Sequence, residues 1–357
     1  MAYTAIDDPS AYFKVQLYTG NGSANHAITF DDTDTDMQPD FVWIKNRDAT
    51  DSHCLFDSVR GATKVIHSDT TGTETTDADT LDSFASDGFQ VDADVKVNTN
   101  TEDYIAWCWK AGTAFSNDAS GTSIGNTDSS GSASSTAGFS ICKYTGAGAS
   151  LDITVKHGLG AVPHVMIIKN LEDANSGPVY HHKNTAAPET DYLKLDTDAT
   201  TADQGEVWLD TAPTSAIFTA GDFSGSNRSG DDFVGYFWNE VQGFSKFGSY
   251  TGNGNADGTF VYTGFKPAYI LLKNTTTSSR DWMIYDNKRA GYNGLNNYMV
   301  ANTTGTDQTG IEIDLLSNGF KPRSTATGLN ASGVVHVYMA FAEAPFVNSN
   351  GVPCTAR

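Results

Sequence analysis

Two short phrases recur three times along this chain in the same order, and no other feature limits the possible folds as much. The first is Tyr18-Thr19-Gly20-Asn21-Gly22, which returns as Tyr144-Thr145-Gly146-Ala147-Gly148 and as Tyr250-Thr251-Gly252-Asn253-Gly254. The second runs from Pro39 to Lys45-Asn46, from Pro163 to Lys169-Asn170 and from Pro267 to Lys273-Asn274, with a Pro-to-Lys spacing of six each time. The Tyr-to-Lys separation changes only from 27 to 25 to 23 residues. A third element follows: DYIAWCW (Asp103 to Trp109), DFVGYFW (Asp232 to Trp238) and, more loosely, VHVYMAF (Val335 to Phe341). Ahead of it, Ser86-Asp87-Gly88-Phe89 parallels Ser317-Asn318-Gly319-Phe320, and Ser215 to Phe218 holds the same place in the middle copy.

Each phrase has a structural reading. The run before each YTG phrase opens on an aromatic residue (Phe13, Phe139 and Phe244) and reads as a strand. The glycines after it suit the φ > 0 geometry of a tight hairpin. Proline pre-sets an extended entry where no ladder donor is needed. The apolar run behind it is a core strand, and Lys-Asn is expected to return the chain to solvent. The third elements do not alternate polar with apolar residues and so read as strands buried on both faces. With 19 Phe, 15 Tyr, 34 Gly and no sustained 3.6-residue apolar period, the expected class is all-β. The expected architecture is three tandem homologous β-sandwich-like domains of about 100 residues, each with its own core between two sheets. The boundaries fall at 12–112, 139–243 and 244–346. Residues 113–138, rich in Ser, Gly, Asn and Thr, read as a linker. Residues 1–11 and 347–357 read as arms that reach neighbouring subunits.

Charge excludes some partners. A net charge of −21 disfavours nucleic acid and anionic membrane surfaces. No apolar run approaches a membrane span, and the first residues lack the basic and apolar regions of a secretion signal. The acidic run Asp31-Asp32-Thr33-Asp34-Thr35-Asp36 lacks the glycine and terminal glutamate of an EF-hand loop, so the expectation is a solvated segment. Cys54, Cys108, Cys142 and Cys354 show no metal spacing and are expected to be free, mostly buried thiols. His181-His182 is the one histidine pair, and adjacent strand residues should point to opposite faces. No nucleophile elbow, zinc helix or phosphate loop is present, so the chain is read as non-enzymatic, with no catalytic residues, cofactor or metal. One polar echo remains: Asp57 with Arg60, and Asp286 with Arg289, are candidate ion pairs that pin a turn.

The phrases DDPSAYF…LYTGNG, QPDFVWIKNR, DSVRG and AWCWKAG, with YTGAG, VPHVMIIKN, FKPAYILLKN and YMAFAE further on, resemble a group of repeat-bearing proteins of marine tailed phages. The resemblance spans residues 7–346. It implies a component of the phage particle surface, made in the host cytoplasm and associated with tail fibres or other surface structures. The expected role is a tail-fibre or adhesin-type protein contacting the host surface, with a glycan or receptor as partner. The alternative is a head-decoration, knob or tail-assembly protein that binds other virion proteins. Open sheet edges lead to the further expectation of a homo-oligomer, and the resemblance to fibre-associated proteins implies a trimer as one form of it.

Overall fold

The structure is a computed structural model describing residues 3–30 and 35–355. It is all-β and sandwich-like. The α-helices among the described residues are single turns, such as Val95–Asn98, Ser224–Asn227 and Thr327–Asn330. None is long and apolar enough to cross a membrane.

Three main antiparallel sheets carry the chain. In the first, the strand order is Phe13–Thr19, Asp103–Trp109, Phe41–Asn46, Cys54–Asp57. The second contains Phe139–Thr145, Asp232–Trp238, Val165–Asn170 and Pro178–His181 in the corresponding order. The third contains Ser245–Thr251, Val335–Pro345, Phe265–Asn274 and Met283–Asp286. The doubly apolar element is thus an inner strand of each sheet, flanked by the strand before the YTG phrase and by the Pro-to-Lys strand. The register is shared too: Lys45 faces Ile105, Lys169 faces Val234 and Lys273 faces Val337. At the opening of the first strand, Phe13 faces Trp109 and Phe139 faces Trp238, but Ser245 faces Phe341. Phe244 therefore sits one residue ahead of the slot expected for it.

A small sheet covers the outer face of each main sheet. These are His26–Thr29 with Gly88–Val91 and Leu81–Ala85; Ile153–Lys156 with Ile217–Ala220; and Val261–Tyr262 with Gly319–Pro322 and Ile313–Leu316. The Phe echo lands at one place in each: Phe89 opposite Ile28, Phe218 opposite Val155, Phe320 opposite Val261. The strand after the YTG phrase therefore leaves for the small sheet, so the phrase is not a tight hairpin.

The first and second main sheets each keep a core of their own against their small sheet, while the third sheet's two faces and the inner faces of the other two join in one further core. A strand shows alternate residues to opposite faces. Val42 and Ile44 join Ile28, Phe89 and Val91 in the outer core of the first sheet, and Met166 and Ile168 join Ile153, Val155 and Phe218 in that of the second. The opposite faces carry Phe41, Trp43, Trp107 and Trp109; Val165, Ile167, Tyr236 and Trp238; and Tyr269, Leu271, Met339 and Phe341, all in one common core. There the Trp109 ring lies 6.3 Å from Trp238 and 5.5 Å from Phe341, and Phe41 lies 4.5 Å from Tyr236. Because both faces of each main sheet are apolar, the inner faces must cover one another.

The segment read as a linker is also ordered. Thr113–Asn117 and Ser129–Ser134 form a hairpin that extends the second main sheet from the edge of Phe139–Thr145. The described parts of the arms fold onto their own chain. Ile6 is buried in the common core, the Ala5 N–H donates to the Gln242 carbonyl at 3.0 Å, and the Ser349 N–H donates to Asp7 Oδ1 at 2.7 Å.

Candidate functional site

The signature residues gather at the ends of the main sheets, where they fasten turns and join one sheet to the next. Tyr18 Oη donates to the Val97 carbonyl (2.8 Å), Tyr144 to Ser226 (2.8 Å) and Tyr250 to Leu329 (2.5 Å). Burial pushes all three phenols above their ordinary pKa. The next residue in each short helix is an asparagine: Asn98, Asn227 and Asn330, all fully buried. Their Oδ1 atoms accept from Asn21 N (2.8 Å), Ala147 N (2.7 Å) and Asn253 N (2.9 Å). Their Nδ2 groups donate to carbonyls further along, at Ser23, Leu151 and Asn255. The glycines have two separate reasons. Gly22, Gly148 and Gly254 have φ of 66°, 69° and 67°. Gly20, Gly146 and Gly252 lie so close to the carbonyls of Thr99, Arg228 and Ala331 that a Cβ would collide with them. Sequence reasoning missed the asparagines; the signal was their fixed place five residues ahead of Asp103, Asp232 and Val335.

Pro39 and Pro163 precede their strands, while Pro267 lies inside its strand at a register shift, where a ladder donor is dispensable. Lys-Asn does not return the chain to solvent: Lys45, Asn46, Lys169, Asn170, Lys273 and Asn274 are all buried. The following turn supplies partners for Lys45 and Lys273, and the first sheet's connecting segment supplies one for Lys169. Lys45 Nζ donates to the carbonyls of Asn46 (2.6 Å) and Ala49 (3.0 Å), Lys169 Nζ to Thr70 (2.8 Å) and Lys273 Nζ to Arg280. Loss of hydration lowers all three ammonium pKa values, to about 8 for Lys45 and Lys273. Asn46, Asn170 and Asn274 each accept two backbone N–H groups from the following turn.

The residue after each Lys-Asn receives a neighbouring sheet. Leu171 O accepts from Glu74 N (2.8 Å), Thr275 O from Thr201 N (2.9 Å) and Arg47 O from Asp307 N (3.1 Å). The first sheet's connecting segment thus reaches the second, the second's reaches the third, and the third's returns to the first. The Asp-x-x-Arg turns brace these seams. Asp57 Oδ1 accepts from the N–H groups of Val59 and Arg60, and Arg60 Nε lies 2.5 Å from Asp57 Oδ2. Arg60 Nη1 then reaches Glu74 at 3.2 Å, and the Tyr236 hydroxyl of the second sheet donates to Asp57 at 2.7 Å. Arg289 pairs with Asp286 at 2.6 Å and with Asp307 at 2.8 Å, and Asp307 also holds Arg47 at 2.8 Å. In the second sheet His181 occupies the place of Asp57 and Asp286, opposite Val165. There Thr201 Oγ1 donates to Asn184 Oδ1 at 2.7 Å.

His181 and His182 do not diverge. The strand ends at His181, the alternation stops, and the rings lie 5.6 Å apart. Both reach the third sheet, through the carbonyls of Tyr338 (3.1 Å) and Phe247 (2.6 Å). Burial depresses His181 to about 3 and His182 to about 4. Among the described residues, no three His, Cys, Asp or Glu side chains gather as a metal-holding group. Asp31, Asp32, Thr33 and Asp34 of the acidic run lie outside the described residues. Cys54, Cys108 and Cys142 are buried and free; Cys354 is free and half-buried.

Among the described residues, two sizeable clefts open outward. One, of about 380 Å³, lies beside the added hairpin and is lined by Asp118, Asp128, Lys143 and Asp232. The other, of about 430 Å³, lies where the segment joining the second and third sheets meets the edge of the third sheet and both terminal segments, with Tyr3 and Tyr262 on its walls.

Among known proteins, the model of one family, described as a domain of unknown function (DUF7483), matches residues 8–345. No curated protein and no solved structure matches the chain.

Proposed function

The chain belongs to that family, and from this premise we propose that it is three tandem copies of one β-sandwich unit forming a non-enzymatic structural component of a tailed-phage particle. Its role is that of a tail-fibre or adhesin-type protein contacting the host surface. The copy reading rests on the shared strand order and on Lys45, Lys169 and Lys273 at one register position. The particle reading rests on the resemblance of the signature phrases to phage surface proteins. The observation that carries the host-contact role is the division of labour between inside and outside. Repeated residues are consumed in turns and seams, while one outward register position carries a different residue in each small sheet: exposed Thr29 opposite Gly88, half-buried Lys156 opposite Ile217 and exposed Tyr262 opposite Gly319. Variable surface on a rigid scaffold is where recognition resides.

A second reading, head decoration or tail assembly, is favoured by the closed circuit of three sheets, a shape suited to a threefold position in an assembly. Immunogold labelling of intact particles, with mass-spectrometric copy number, separates the two. Gold at the tail with low copy number is the expected result. Gold over the head at high copy number replaces the first reading with the second, and label on neither overturns the particle assignment.

A further inference from the structure

We propose that the cleft between Tyr3 and Tyr262 binds a neutral saccharide. This deepens the host-contact reading and rests on it for its biological meaning. Most tyrosines here are consumed by the fold, yet Tyr3 and Tyr262 are 64 % and 59 % exposed and line the same cleft. The fold does not need a tyrosine at 262, since the matching register positions in the other two small sheets hold Thr29 and Lys156. Large side chains left in water around a concavity mark a binding surface.

The cleft is held open by its frame. The Tyr3 segment is fastened where the Ala5 N–H donates to the Gln242 carbonyl, and Gly243 packs directly on Thr4, where a Cβ would collide. Gly264 turns the chain beside the Tyr262 ring at φ +86°, and its carbonyl accepts from Phe346 N at 3.2 Å. Polar groups stand beside the rings. Gln242 is exposed, and Lys246 Nζ pairs with Glu240 Oε2 at 2.7 Å at the cleft wall, with both side chains partly in solvent. That set offers amide and ammonium donors, a carboxylate acceptor and two phenolic faces. A sugar ring matches it, with C–H faces for the phenols and hydroxyls for the polar groups. The volume of about 430 Å³ is in the range of small-molecule sites. A net charge of −21 selects against polyanionic glycans, which leaves a neutral one.

The test is saturation-transfer NMR on the full chain with chitotriose, maltotriose and mannotriose, and with 3′-sialyllactose as an anionic comparison. At least one neutral probe should bind more tightly than the anionic one. Tyr262→Ala should weaken that binding about tenfold or more, as truncating an aromatic anchor does. Tyr262→Phe should largely retain it. Tyr292→Ala, at a residue 81 % exposed that does not line this cleft, should leave it unchanged. An unchanged thermal midpoint in Tyr262→Ala excludes misfolding as the cause. Absence of binding by every neutral probe, or binding that survives Tyr262→Ala, overturns the assignment. Tail labelling without saccharide binding removes the cleft proposal alone. Saccharide binding with head labelling removes the host-contact role alone.

Discussion

A buried asparagine has two donors and an acceptor to place, and Asn227 places them all: Ala147 N and Gly148 N on Oδ1, the Leu151 and Ala220 carbonyls on Nδ2. Asn227→Ala removes those hydrogen bonds and should cost about 1–3 kcal/mol. Urea unfolding checks this as a lower midpoint with an unchanged slope; an unchanged midpoint would show that the turn holds without the side chain. The buried lysines make a prediction about pH. Lys273 falls from 10.5 to about 8 on folding, so between those values the unfolded chain binds more protons and stability rises with pH. The buried thiols, raised in the fold, oppose this above the ordinary thiol range. The informative quantity is therefore the difference between parent and Lys273→Met. The parent should gain on the variant as pH rises from 8 towards 10.5, and a flat difference in denaturation experiments would refute the effect of burial.

Strands were legible in the sequence and their surroundings were not. The Pro-to-Lys and YTG phrases mark strand edges by local chemistry, because proline and glycine restrict the backbone wherever they stand. The segment 113–138 misled because Ser and Gly also suit a strand lying close against another. Gly131 pairs with Cys142, and a Cβ there would collide with the Ile141 carbonyl and the Phe115 ring. Gly131→Ala should therefore detach the hairpin while the three main sheets persist. Limited proteolysis should then cut within 113–138 in the variant and spare the parent; equal resistance would mean that the edge tolerates the added carbon. The Lys-Asn pairs misled for a related reason. Their charge says solvent, but the carbonyls that replace water belong to turns, and in the case of Lys169 to Thr70 of the first sheet's connection. The seams at Glu74, Thr201 and Asp307 left no sequence mark, since a backbone N–H donor is available from every residue type except proline.

Over the whole molecule, the common core sets how unfolding proceeds. Phe41, Trp107 and Trp109 of the first sheet pack against Tyr236, Trp238, Tyr269 and Phe341, so residues 12–112 alone would leave a large aromatic face in water. Calorimetry of the full chain should give one transition, and three resolved transitions would mean that the sheets stand alone. Acid should attack the seam between the second and third sheets. His181 Nδ1 accepts from Lys183 N while Nε2 meets the Tyr338 carbonyl, an arrangement that needs a neutral ring. As pH falls from 6.5 towards about 3, the unfolded chain takes up protons that this ring refuses, and stability is lost across that range. A smaller loss between pH 7 and 5 in His181→Gln, followed by tryptophan fluorescence in urea, is the expected sign. The hydrogen bond between Asp7 and Ser349 has a consequence of its own. It brings the two ends of the described chain side by side, so the circuit of sheets has no privileged starting point. A chain spliced there and reopened at the exposed turn Ser120–Thr122 would thread the same object in a different order. What linear order governs is the chemistry assigned to each seam: an arginine on a glutamate, a threonine on an asparagine, an arginine on an aspartate.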